Sequence, residues 1–165
     1  MGTHTVRLGI GAAVIAVMTT VSACGGNSKP CAGVGVESGV GVMFLQEGYT
    51  DLDGASYELC ARGKCVKGEL EREDITRVSL PLPDDVDPET GTVRFRVTPE
   101  GSRRPEIDAS SAVRLTHQSD GCGGGAYSRG LAFTKEAGLT TRIPPSVSAA
   151  WRHRLRALAS PSGSP

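Results

Sequence analysis

In Thr92-Val93-Arg94-Phe95-Arg96-Val97-Thr98 every second residue is apolar and the others are polar. A helix turns through about 100° per residue and would scatter that apolar set around its axis. An extended strand sends alternate side chains to opposite faces, so the segment demands a sheet buried on one side. The same parity recurs, more weakly, in Val40, Val42 and Phe44, and again in Ala55, Tyr57 and Leu59. Val78, Leu80 and Leu82 repeat it, with Pro81 marking an edge or a strand end. So do Val113 with Leu115, and Tyr127, Leu131 and Phe133.

Turn chemistry separates these runs: Asp51 to Gly54, Pro83 to Asp85, Pro88 to Gly91, Pro99 to Gly101, and Gly121 to Gly125. About seven short strands with frequent turns predict an all-β fold, an immunoglobulin-like β-sandwich over residues 31–143. The Cys…Trp…Cys pattern of antibody domains is missing, since Trp151 follows every cysteine. Seven aromatic residues, one Trp, three Tyr and three Phe, leave the core to Val and Leu. A core so built gains from covalent staples.

The first residues carry an address. Arg7 is the one charged side chain before an apolar run from Leu8 to Val17, which is followed by Val21-Ser22-Ala23-Cys24. A basic start, a short apolar stretch and small residues at the cut describe a secretory signal peptide over residues 1–23. The run falls well short of the roughly 20 apolar residues that span a bilayer. Met1-Gly2 does not start a myristoylation motif, because the sixth residue is Val6, where Ser or Thr is needed. Val21-Ser22-Ala23-Cys24 is similar to a bacterial lipobox, which implies cleavage before Cys24 and lipidation of that cysteine. A diacylglycerol supplies two chains, and at about 0.8 kcal/mol per buried methylene two chains hold where one holds marginally. Residues 24–30 are polar and Gly-rich, as a flexible tether requires. The expected place is the extracytoplasmic face of the cell membrane, anchored by lipid.

Four further cysteines remain: Cys31, Cys60, Cys65 and Cys122. An even number on an exported chain reads as disulfides, and four allow three pairings. Cys60 and Cys65 flank Ala61-Arg62-Gly63-Lys64, and a hairpin there sets them opposite one another. That leaves Cys31 with Cys122, a cross-link over a long loop that would stabilise by about 4–5 kcal/mol on chain-entropy grounds.

Residues 144–165 are different. After Pro144-Pro145, Ser146 is placed to cap a short helix with Val147, Trp151, Leu155 and Leu158 on one side. Arg152, His153, Arg154 and Arg156 lie off that stripe. The helix either packs on the sandwich or touches anionic lipid near the anchor; packing is the simpler expectation. The Ser/Pro/Gly-rich run from Ala159 to Pro165 predicts disorder.

With Cys31, the hairpin Leu59 to Cys65 and Gly121-Cys122-Gly123-Gly124-Gly125 in hand, the chain resembles small actinobacterial secreted lipoproteins of unassigned function. The resemblance spans residues from about 31 to 142 and rests on cysteines and glycines. It implies an Ig-like body at the cell surface and transfers no catalytic residue.

Charge argues against a nucleic-acid partner. The chain has 18 basic and 18 acidic side chains, and loss of the leader removes Arg7 alone, for a net of −1. His117 is close to Ser110, Ser111 and Ser119 in sequence, but no G-x-S-x-G elbow accompanies it. A zinc site of His117, Cys122, Cys60 and Cys65 would compete with disulfide formation. Asp51 and Asp53, and the group Asp84, Asp85, Asp87 and Glu89, lack the spacing of a calcium loop and suit turns. Gly121 to Gly125 lacks the Lys-Ser/Thr of a phosphate loop. No catalytic residue, metal ligand or cofactor is therefore assigned. The expectation is a membrane-anchored, non-catalytic binding or structural module with a protein partner at the cell surface. A metal- or small-ligand-binding lipoprotein is the alternative, and a hydrolase comes third.

Overall fold

The computed structural model describes residues 36–50, 52–89, 91–121 and 123–159. Nine strands and one helix follow in order: β1 Gly39–Leu45, β2 Ser56–Ala61, β3 Lys64–Glu69, β4 Ile75–Pro81, β5 Gly91–Thr98, β6 Ile107–Val113, β7 Thr116–Ser119, β8 Gly125–Thr134, β9 Gly138–Thr140 and α1 Pro145–Ala159. One sheet runs β4-β1-β8-β7 with β9 on β8, and the other runs β3-β2-β5-β6. All neighbours are antiparallel except β1 and β8, which are parallel. The fold is the expected all-β sandwich with a short C-terminal helix, in nine strands where about seven were legible. The two sheets pack as layers of a sandwich, with β1 and β8 as parallel neighbours in the first.

The alternation of β5 does what it predicted. Val93, Phe95 and Val97 are fully buried, while Arg94 and Arg96 face out. Leu59 from β2, Val42 and Phe44 from β1 and Leu131 from β8 complete the interior at zero exposure. The rings of Phe44, Phe95 and Phe133 meet at centroid distances of 5.5, 5.6 and 5.8 Å in edge-on or tilted arrangements. Such geometry sets the positive edge of one ring against the negative face of the next.

The outer faces differ. On the second sheet, Lys67, Glu58, Arg96, Asp108 and Arg94 form a continuous ladder of ion pairs across four strands. That face is solvated. On the first sheet, Leu45, Ile75 and Ala132 point outward yet are buried, because Val147 of α1 covers them. Adjacent Phe44 and Leu45 are thus buried on opposite faces.

The helix begins one position before Ser146. Pro145 takes the first helical place, where its missing N–H costs nothing, and the Ser148 amide donates to the Pro144 carbonyl at 3.2 Å. The expected cap at Ser146 is corrected accordingly. The helix continues to Ala159, and residues 160–165 lie outside the described set.

Candidate binding groove

Helix α1 is held to the first sheet by two devices. Val147, Ala150 and Trp151 pack with Met43, Ile143, Leu45, Ile75 and Ala132. Arg154 then donates to the Glu73 carboxylate and to the Ile75 carbonyl, with its guanidinium 5.9 Å from the centre of the Trp151 ring. The carbonyl at the start of edge strand β4 is thereby satisfied by a side chain from a remote segment.

Between this helix and the β1–β2 and β3–β4 connections lies a groove of about 930 Å³. Its floor is apolar, from Leu45, Leu52 and Ile75, and its walls carry the carboxylates of Glu47, Asp53, Glu73 and Asp74 with Arg72, His153 and Arg154. Asp53 and Arg72 stand 3.9 Å apart as an exposed pair. Gln46 fixes one wall by donating to the Glu71 carbonyl and the Thr76 hydroxyl, at 3.0 and 2.9 Å.

Tyr49 lines the groove and reaches the core, where its ring lies 6.0 Å from Phe44 and 6.4 Å from Phe133. Lys135 spans it, donating to the Gly48 carbonyl at 2.5 Å with its ammonium 5.1 Å from the ring centre. Burial raises the Tyr49 phenol above its ordinary value, and the charges of Glu106 and Glu136 add to the rise. The hydroxyl therefore remains a neutral donor at any physiological pH. A floor of aliphatic carbon, one phenol and walls with more carboxylates than arginines suit a polar ligand.

The residues singled out in the sequence fall as follows. Arg62 and Gly63 form a two-residue turn with φ of 49° and 72°, the left-handed pair that a type I′ hairpin requires. The register places Cys60 opposite Cys65, and they form a disulfide with Cα atoms 4.1 Å apart. The zinc reading fails on this point, because bonded sulfurs are not thiolate ligands, even though the Glu58 carboxylate lies beside them. Cys24, and the pairing of Cys31 with Cys122, lie outside the described residues, as does Asp51.

His117 stands on β7, a strand exposed along its whole length. Its ring meets Tyr127 edge-on at 5.2 Å and lies over Gly125, where a Cβ would come within 2.6 Å of it. The acidic turn works as a clamp on arginine: Arg62 donates to the Asp87 and Glu89 carbonyls and pairs with the Asp87 carboxylate at 3.4 Å. Glu89 pairs with Arg114 at 3.0 Å. Gly121, at φ 77°, turns the chain between β7 and β8, and the Asp120 carboxylate accepts from the Gly124 amide at 3.0 Å.

The groove itself was missed, since residues 45–53, 72–75 and 150–157 build it jointly and no local pattern joins them. The one available signal was adjacent apolar residues such as Phe44-Leu45, which ask for cover on both faces of a strand. Among the described residues, no helix is long and apolar enough to cross a membrane. The chain matches no protein-family model, no curated protein and no solved structure, so its role rests on its own residues.

Proposed function

We propose that the protein is an exported lipoprotein, held at the extracytoplasmic face of the cell membrane by acyl chains on Cys24, that acts as a non-catalytic binding module. The observation that carries the reading is the position of Val21-Ser22-Ala23-Cys24, where the apolar run of the leader ends. The Cys60–Cys65 disulfide supports it, because such bonds persist in oxidising surroundings. The groove under α1 is the binding surface. It is lined by Tyr49, Asp53, Arg72 and Arg154, which meet a partner through hydrogen bonds and paired charges.

The packing of His117 on Tyr127 and Gly125 supports a non-catalytic body, since the ring is engaged in structure. A second reading, a small polar ligand in place of a protein segment, is favoured by the groove volume, which lies within the range of about 300–1,000 Å³ usual for such sites.

Fractionation of cells making the wild type and Cys24→Ala tests the address. The wild type is expected with the membranes, and the variant as a released or uncut form. Equal partition of both would contradict the anchor. For the groove, Asp53→Lys with Arg72→Glu, both at exposed positions, should weaken partner capture without lowering the melting temperature.

A further inference from the structure

Helix α1 is engaged with the sandwich from Val147 to Arg154, and its last five residues, Leu155 to Ala159, are exposed. Val147 is fully buried, whereas Leu155 and Leu158 are 47% and 71% exposed. Ala157 of the last turn still lines the groove beside Leu45 and Ile75, while Leu155 and Leu158 are left open to solvent. With Val36, these two leucines are the large apolar side chains left exposed among the described residues.

The helix that carries them holds Arg152, His153, Arg154 and Arg156 and no acidic side chain. Arg154 is engaged with Glu73. Arg152 donates to the Ser148 carbonyl at 3.2 Å, and its side chain and that of Arg156 remain exposed beside the leucines.

Position adds a second argument. Val36, Gly39, Gly41 and Trp151 line one shallow groove of about 620 Å³ on the outer face of the first sheet. The described chain therefore begins on the face that carries α1. Twelve residue steps separate Val36 from Cys24, a contour of at most roughly 40 Å. Any membrane holding Cys24 lies within that reach.

We propose that the exposed end of α1 is a second membrane contact: Leu155 and Leu158 enter the headgroup boundary of an anionic bilayer while Arg152 and Arg156 meet its phosphates. The proposal takes the position of the membrane from the lipid-anchored reading of Cys24. Two leucines and two arginines bind weakly on their own. On a chain already tethered, the contact becomes intramolecular and a weak surface suffices. The contact fixes how the sandwich stands on the membrane.

Trp151, the one tryptophan of the chain, lies a single helical turn from Leu155 and reports the contact. Lipidated wild-type protein is incorporated into vesicles of phosphatidylcholine alone, or of phosphatidylcholine with roughly one-third phosphatidylglycerol, each carrying a spin-labelled lipid that quenches tryptophan. Strong quenching is expected in the anionic vesicles and weak quenching in the neutral ones. Salt near 1 M, where the screening length falls to about 3 Å, should erase the difference.

Leu155→Ser with Leu158→Ser, and separately Arg152→Gln with Arg156→Gln, should return the anionic signal to the neutral level, with occupancy falling about fivefold per arginine. All four positions are exposed, so an unchanged melting temperature shows that the body is intact.

Equal quenching in the two vesicle types, or indifference to both pairs of substitutions, would overturn the contact. So would a concentration-dependent dimer that the leucine substitutions dissolve, since a second copy would then occupy the surface. Flotation with neutral vesicles reads the anchor separately. Its failure would sink the Cys24 reading, while anionic-only flotation lost with Leu155 and Leu158 would still support the helix contact.

Discussion

The ring of Phe44 on β1 meets that of Phe95 on β5 at 5.5 Å with the planes inclined by 63°, and both side chains are wholly buried. This contact crosses between the sheets and, with Phe133, forms the aromatic centre of a core otherwise aliphatic. Phe95→Ala removes the central ring from a site closed on every side. A loss of about 3–5 kcal/mol in unfolding free energy is expected from denaturant titration. Phe95→Leu, which keeps most of the volume, should cost less than half of that.

Arg154 joins α1 to β4 through Glu73 and the Ile75 carbonyl. Arg154→Ala leaves both acceptors without that donor. Because the pair is about a third exposed, solvent screens it, and the loss is about 1 kcal/mol. The effect should be local. Amide hydrogens of α1 should exchange faster and Trp151 emission should shift to the red, with those of β5 unchanged.

Much of the sandwich was legible because a strand with one wet face writes its burial into alternate residues. β5 obeys that rule along its length, whereas β1 and β8 carry the inward parity in Phe44 and Phe133 but also bury Leu45 and Ala132 on the other face under α1. The parity of Val113 and Leu115, read as one strand, instead spans the break where β6 ends at Val113 and β7 starts at Thr116 in the other sheet. The rest of β6 escaped because its inward positions, Ala109 and Ser111, are small and carry little hydrophobic signal. β7 buries no side chain and exists through its backbone pairing with β8, which no side-chain pattern encodes. β9 has three residues, too few for any period. The stripe Val147, Trp151, Leu155 and Leu158 revealed the helix but could not show where the sheet beneath it stops. Only the tertiary structure separates the docked residues, up to Arg154, from the exposed end that follows. The groove lay beyond sequence reading for the same reason.

The Cys60–Cys65 bridge closes a short loop. On chain-entropy grounds it stabilises by about 2 kcal/mol. Cys60→Ala with Cys65→Ala should therefore lower stability by about 2 kcal/mol and leave the fold intact. β2 is held independently by its full register with β5. Thermal melts and far-ultraviolet dichroism would check both parts.

The ladder on the second sheet should show in acid. Hydrogen bonds from Arg94 hold the Asp108 carboxyl below its usual range, with the charges of Arg94 and Arg96 adding to the effect. A hydrogen bond from Lys67 does the same for Glu58. These groups stay ionised in the fold to lower pH than in the unfolded chain, so their contribution is present above about pH 4 and fades as pH falls through the lower folded values. Asp108→Asn should give a shallower decline of melting temperature between about pH 4 and pH 2 than the wild type shows. Parallel curves for the two proteins would contradict the role of Asp108.

Retention at the membrane depends on what happens at Cys24. Intact mass of the protein purified from membranes under non-reducing conditions tests it in a single measurement. The predicted mass is that of residues 24–165 with a diacylglycerol on Cys24, less the hydrogens lost to disulfides. The mass of the full 165-residue chain, or of the cut chain without lipid, would contradict the anchored reading.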